Sequence, residues 1–270
     1  MRLINLKPGR FSPLLGILPF VILGLVYWVS ADARHALNEE DKLLPTVEAL
    51  ADAVKMMVAE PDELTGEPIL WTDTIASLKR IAEGLGIAAA IGLVLGIIQG
   101  ALPMFRALLS PFSAAVSLIP PMAILPILLV IFGMEESAKV ALIAIGIAPF
   151  LVRDTQQRCM ELSEELLIKV QTLGASTWQI ILRVVLPHVL PRLLDSLRLS
   201  LGAAWLFLIA AEAIASSEGL GYRIFLMRRY MEMDVILPYV AWITFLAFLT
   251  DWVLAVIIKK GFPWYRKERK

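Results

Sequence analysis

The sequence predicts an all-α integral membrane protein with six transmembrane helices, and three observations carry that expectation. Hydrophobic residues make up 58% of the 270 positions and the mean hydropathy is +0.73, where soluble domains hold roughly 45–50% apolar residues. The apolar residues are gathered into blocks separated by charged or proline-rich turns, and several blocks are long enough to cross roughly 30 Å of hydrocarbon as helices. One interruption, from about Asp154 to Leu190, is polar, long and punctuated by helix start and stop signals of its own.

Composition also excludes several functions. With 25 basic and 25 acidic residues the formal net charge is zero, which gives no reason to expect a nucleic-acid partner. The single cysteine, Cys159, precludes an internal disulfide, and His35 and His188 have no Cys or His companion nearby, so no metal site is expected. The phosphate-cradling pattern GlyXXXXGlyLys(Ser/Thr) is absent, as are GlyXSerXGly and HisGluXXHis. No catalytic residue and no cofactor are expected in this chain, so ATP, if it drives the protein, binds to a partner.

Residues 1–31 read as a basic flank (Arg2, Lys7, Arg10) and a first span from about Leu14 to Val29, closed by Tyr27 and Trp28 as interfacial aromatics. Ala31-Asp32-Ala33 resembles a signal-peptide cleavage site, but the apolar run is long for a signal core, which favours a retained span. Residues 32–78 form an acidic outer segment. Within it Pro45 opens an amphipathic helix whose stripe is Val47, Leu50, Val54, Met57 and Val58, closed by Pro61.

The five-span core is expected over 79–258. The second span, about Ile81 to Ala101, places Ala88, Gly92, Gly96 and Gly100 four apart, a stripe that lets backbones approach in lipid. The third, about Leu108 to Phe132, is interrupted by Pro120, Pro121 and Pro126. Breaks of this kind free backbone carbonyls and either line pathways or serve packing alone. Gly133 ends that helix, Glu135 can reach Lys139 one turn on, and a short fourth span runs from about Val140 to Val152 with a kink at Pro149.

The polar loop 154–192 reads as two short helices meeting at a glycine elbow. Ser163 caps the first, Glu164 and Glu165 suit the positive end of its dipole, and Leu166, Leu167, Val170 and Leu173 share a face. Gly174 stops it. Ser176 with Gln179 makes a capping-box pattern for the second helix, which Pro187 is expected to end.

The fifth span, about Leu193 to Ala215, contains Glu212, a carboxylate that must be paired or hydrated inside a membrane; it either ties helices together or meets the solute. A loop from Ser216 to Asp234 carries Arg223, Arg228 and Arg229, which either attract an anion or acidic protein or contact lipid headgroups. The last span, about Val235 to Ile258, precedes the basic tail 259–270. With both termini cytoplasmic, sixteen Lys and Arg fall inside and nine outside, and the elbow faces the cytoplasm.

These residues resemble a known family. Gly174, a short spacer and Leu186-Pro187 are similar to the signature loop of ABC importer permeases, which opens with GluAlaAla where this chain has Ile168, Lys169 and Val170; Glu164 and Glu165, a turn earlier, are the carboxylates available instead. Leu44-Pro45, Ile119 to Ile127, Phe132 to Lys139 and Ala211 to Tyr222 resemble the permeases of the nitrate, sulfonate and taurine group, so that the likeness extends from about Leu43 to Asp234. The resemblance implies a type I ABC importer permease-like fold in a bacterial inner membrane, with a cytoplasmic coupling helix between spans four and five. It also implies an importer built from two such permease subunits, two ABC ATPase subunits holding ATP and Mg, and a periplasmic solute-binding protein. On that resemblance Glu164, Glu165, Leu173, Gly174, Ala175, Ser176, Trp178, Leu186 and Pro187 would couple to the ATPase. Pro120, Pro121, Glu212, Ser216, Arg228 and Arg229 are the candidate pathway residues. The alternative is an ion-coupled secondary transporter, which would need several intramembrane carboxylates; Glu212 and Asp251 make a thin relay.

Overall fold

The computed structural model describes residues 12–265 other than 39–40, 60, 62–65 and 67. In chain order its helices are α1 (Ser12–His35), α2 (Val47–Ala59), α3 (Ile69–Ala101), α4 (Pro103–Val116), α5 (Pro121–Phe132), α6 (Glu136–Met160), α7 (Glu164–Thr172), α8 (Thr177–Ile180), α9 (Leu186–Ala215), α10 (Leu220–Tyr230) and α11 (Met233–Gly261). A π-helical turn, Ile181–Val185, joins α8 to α9. The expected basic groups Arg2, Lys7, Arg10, Arg266, Lys267, Arg269 and Lys270 lie outside the described residues.

The centre of the bundle is the pair α3 and α6, and small residues are the reason. A β-carbon on Gly92 would lie 2.6 Å from that of Leu151, on Gly96 2.4 Å from that of Thr155, and on Gly100 2.3 Å from that of Cys159. Gly84 meets Ile143 in the same way at 2.7 Å. Every pair is offset by 59 positions, so the two helices run parallel in one register over their whole shared length. In lipid, where burial of apolar surface drives nothing, such backbone contact supplies the dispersion energy that holds helices together.

Parallel packing also settles the path between them. Two parallel helices that both cross a membrane require a return crossing, and the chain between α3 and α6 is α4 and α5, bent by 92°. Among the described residues four helical stretches, Leu15–His35, Ile69–Ala101, Thr177–Ala215 and Met233–Gly261, are long and apolar enough to cross alone, and the bent pair, taken as one span, makes a fifth. Helix α6 falls outside that set because charged and amide groups flank its apolar run Val140–Val152, yet its residues from Ala138 to Cys159 are buried at regular intervals.

Three sequence expectations need correcting. Helix α3 starts at Ile69, well before Ile81, because Asp73, Ser77 and Arg80 are buried in the bundle and not in water. Of the three prolines in the third span, Pro126 lies inside α5 without ending it, and the break falls at Pro120, which caps α5, with Pro121 as its first residue. Of the α2 stripe only Met57 is buried, together with Ala53, while Val47, Val54 and Val58 are exposed. Helix α1 stands largely apart, tethered where Tyr27 Oη donates to the Pro45 carbonyl at 2.7 Å.

Candidate functional site

Three places collect the residues of interest: the elbow, a polar cluster at the opposite end of the bundle, and a cavity under the α4–α5 bend.

The elbow is built by local signals. Ser163 occupies the N-cap position of α7 without a side-chain cap bond, and Glu164 and Glu165 sit in its first turn. At the other end Gly174 adopts φ +82°, a conformation that costs L-residues roughly 1–2 kcal/mol. The Gly174 N–H donates to Gln171 O at 2.9 Å and the Ala175 N–H to Val170 O at 3.3 Å, a Schellman closure. The predicted capping box is present: Gln179 N–H donates to Ser176 Oγ at 3.4 Å and Ser176 N–H to Gln179 Oε1 at 2.8 Å. Leu173 is 85% exposed and Trp178 71% exposed, so the tip of the elbow offers apolar surface with no partner among the described residues.

Pro187 does not end the second helix, contrary to expectation. The chain widens into the π-turn just before it, where the Leu186 N–H reaches back five residues to Ile181 O. Wider spacing relieves the clash of a proline ring with the preceding turn, and so Leu186 and Pro187 lie inside one helical rod, Thr177–Ala215.

At the opposite end Glu212 is fully buried. Its Oε1 accepts from Ser77 Oγ and from Arg80 Nη1, both at 2.7 Å, and its Oε2 accepts from the Gly221 N–H at 2.8 Å. Arg80, only 1% exposed, also donates through Nη2 to Glu136 Oε1 at 2.8 Å and through Nη1 to the Glu218 carbonyl at 2.9 Å. Asp73 accepts from the Gly219 N–H at 2.8 Å, from Arg223 Nε at 2.9 Å and from the Tyr239 hydroxyl at 3.1 Å. Ser77 Oγ accepts the Leu220 N–H at 2.9 Å. The first N–H groups of α10 are therefore capped by side chains from α3 and α9, which pins α10 to the bundle. Gly219, at φ +118°, is required here because a β-carbon would lie 2.6 Å from Arg80 Nη1 and from the Glu212 carboxyl.

The cation facing Glu212 is thus Arg80 and not one of the three loop arginines. Arg223 pairs with Asp73, Arg228 stacks over the Phe225 ring at 5.7 Å, and Arg229 is exposed. Ser216, half-buried, donates to the Glu218 carbonyl. Lys139 pairs with Glu136 at 2.6 Å and not with Glu135, which occupies the N-cap position of α6 without a side-chain cap bond. Burial pushes the Glu136 carboxyl up, but hydrogen bonds from Arg80 and Lys139 outweigh it and hold the group at about 2. Sequence reasoning missed Asp73, Arg80 and Tyr239. The available signal was that Asp73, Ser77 and Arg80 continue the face marked by Gly84, Ala88, Gly92, Gly96 and Gly100.

Under the α4–α5 bend lies an open cavity of about 500 Å³. Pro121, Phe150, Arg153 and Phe207 are among its walls, whereas Pro120 is exposed at the break itself. Asp251 lies apart from the cluster around Glu212 and binds Arg198 at 2.8 Å.

A bundle of this kind, with helices long and apolar enough to cross a membrane and its buried charges paired between helices, is that of a multi-span membrane protein. The chain belongs to the family of binding-protein-dependent transport system inner membrane components, whose model matches residues 92–260. It is 34% identical over 196 residues to the taurine transport system permease protein TauC of Escherichia coli, covering 73% of this chain and 71% of that protein. It is 31% identical to the bicarbonate transport system permease protein CmpB of Synechococcus elongatus, over 91% of this chain and 90% of that one. The putative aliphatic sulfonates transport permease protein SsuC of Bacillus subtilis is 29% identical over 96% of this chain and 91% of its own. In structure the chain is similar to a chain of the MetNI methionine ABC transporter, with a TM-score of 0.63 at 21% identity over 75% of this chain and 98% of that chain. The fold is that of a type I importer permease, and such permeases are transport subunits and not enzymes.

Proposed function

We propose that this chain forms the translocation pathway of an ATP-driven importer for a small solute of the taurine, sulfonate or bicarbonate kind. Two copies would assemble with two ATPase subunits, which hold ATP and Mg, and with an external solute-binding protein. The observation that carries the reading is the elbow: a short, doubly capped turn presenting Leu173 and Trp178 to solvent at the foot of a 39-residue helix. Glu164, Glu165, Ala175, Ser176 and the turn around Leu186 and Pro187 would frame the ATPase contact. ATP binding would close the ATPase pair, bring two elbows together and rock the bundles between openings. The excess of Lys and Arg on the elbow side supports a cytoplasmic elbow and cytoplasmic termini. Helix α4, with no buried residue, gives a second copy or lipid an apolar face.

A self-powered, ion-coupled carrier is not favoured, since Glu212 and Asp251 are both engaged with arginines. The test is topological and biochemical. Thr177→Cys should resist a membrane-impermeant thiol reagent in intact cells and react in inverted vesicles, and an ATPase subunit should co-purify with the chain. Labelling from outside, or proton-coupled uptake by the chain alone in liposomes, overturns the proposal.

A further inference from the structure

We propose that the cavity under the α4–α5 bend is the solute site, and that Arg153 recognises the anionic group of a small organic solute, a sulfonate or carboxylate on a short apolar stem. This deepens the pathway reading above and rests on it.

The charge balance of the cavity is the first argument. Arg153 follows directly on the apolar run of α6, and its Nη1 donates to Ser117 Oγ at 2.9 Å; among the described residues it has no carboxylate partner. Asp154 also lines the cavity, but its carboxylate accepts the Ser196 hydroxyl and lies 3.4 Å from Arg158 Nη2. One positive charge, on a side chain that is itself exposed, is therefore left without a counter-charge beside the apolar part of the cavity wall, where the attraction for an anion exceeds that in bulk water. The guanidinium fork suits the paired oxygens of a carboxylate or sulfonate.

The shape of the cavity is the second. Besides the polar Ser117, Asp154 and Gln157, the walls include Ile119, Pro121 and Phe150, apolar surface that suits a short stem. Phe207, also in the wall, lies directly on Gly146. A β-carbon on Gly146 would sit 2.6 Å from Phe207 Cε2 and 3.2 Å from Pro121 Cβ, so only a bare backbone lets ring and proline meet. The wall thus combines one guanidinium with apolar side chains and an aromatic ring, the complement of an anionic group on a short stem.

The experiment uses the full chain in nanodiscs with a reporter Ile119→Cys, and the parent chain, whose Cys159 is buried, as the blank. Modification rates are compared for anionic 2-sulfonatoethyl and cationic 2-trimethylammonioethyl methanethiosulfonate. The anionic reagent should be favoured by about tenfold when Arg153 is present, by the attraction of one close charge. Arg153→Gln should abolish that preference and Arg153→Lys should retain it. Ethanesulfonate should protect the reporter in the Arg153 chain and not in Arg153→Gln. Equal preference in both chains overturns the proposal. So does protection that appears only on adding phosphatidylglycerol and never from ethanesulfonate, because the anion is then a lipid headgroup. No ATPase is needed, so loss of the charge preference with ATPase co-purification intact removes the site alone, and the reverse result removes only the importer reading.

Discussion

Arg80 of α3 and Glu212 of α9 meet at 2.7 Å with the arginine 1% exposed and the glutamate fully buried. Removing one partner of such a pair leaves an uncompensated charge in a medium that cannot solvate it, at a cost of about 3–5 kcal/mol. Arg80→Met should therefore lower the thermal midpoint of the detergent-solubilised chain markedly. Arg80→Lys should restore only part of it, since three ammonium protons cannot satisfy the oxygens of Glu136, Glu212 and Glu218 together. A midpoint unchanged by Arg80→Met would show that the pair is not structural.

The register of α3 against α6 yields a second expectation. Gly96→Leu forces a branched side chain into a space where its first carbon already lies 2.4 Å from Thr155 Cβ. Overpacking usually costs about 1–3 kcal/mol, and a backbone contact leaves less room to relax than a side-chain core. The variant should unfold at lower temperature than Ala90→Leu, whose site is exposed on the same helix. Equal midpoints for the two variants would refute the close contact.

At the elbow, stability and partner binding should separate. A β-carbon at Gly174 meets nothing within 4 Å, so Gly174→Val strains only the turn at φ +82°, by about 1–2 kcal/mol. Together with Trp178→Ala it should leave the bundle's thermal midpoint close to that of the parent while ATPase co-purification falls by an order of magnitude or more. Loss of both together would mean that the turn supports the fold itself.

Glu136 predicts a pH dependence. Its folded-state value of about 2 lies below the ordinary 4.5, so its contribution is fully present above about pH 4.5 and is lost as pH falls toward 2. The side chain is 56% exposed, which limits the size of the effect. Comparison of the parent with Glu136→Gln by thermal melting should show a gap at pH 6 that narrows steadily below about pH 4.5; a gap constant down to pH 2 contradicts the assignment.

What the sequence made legible was whatever depends on neighbours along the chain. The stripe of Ala88, Gly92, Gly96 and Gly100 announced a close helix contact, and Ser176 with Gln179 announced a helix start, since both are encoded within a few residues. Arg80 escaped because hydropathy left it at the outer edge, just before the second span expected from about Ile81, while its three carboxylate partners lie 56 or more positions away. Lys139 chose Glu136 over Glu135 for a related reason: Arg80, arriving from another helix, already draws Glu136 inward. Pro187 misled because the local rule for proline assumes α-helical spacing, and one π-turn suspends it.

That suspended rule has a mechanical result. Because the helix continues through Pro187, the stretch from Thr177 to Ala215 measures about 58 Å at 1.5 Å per residue, carrying Trp178 near one tip and Glu212 near the other. In the importer proposed above, a displacement of the indole would be carried along one continuous helix toward the carboxylate that clasps α10. Foot and far end would then move together, and softening the helix with a glycine pair near Leu190 would uncouple them while leaving each end intact.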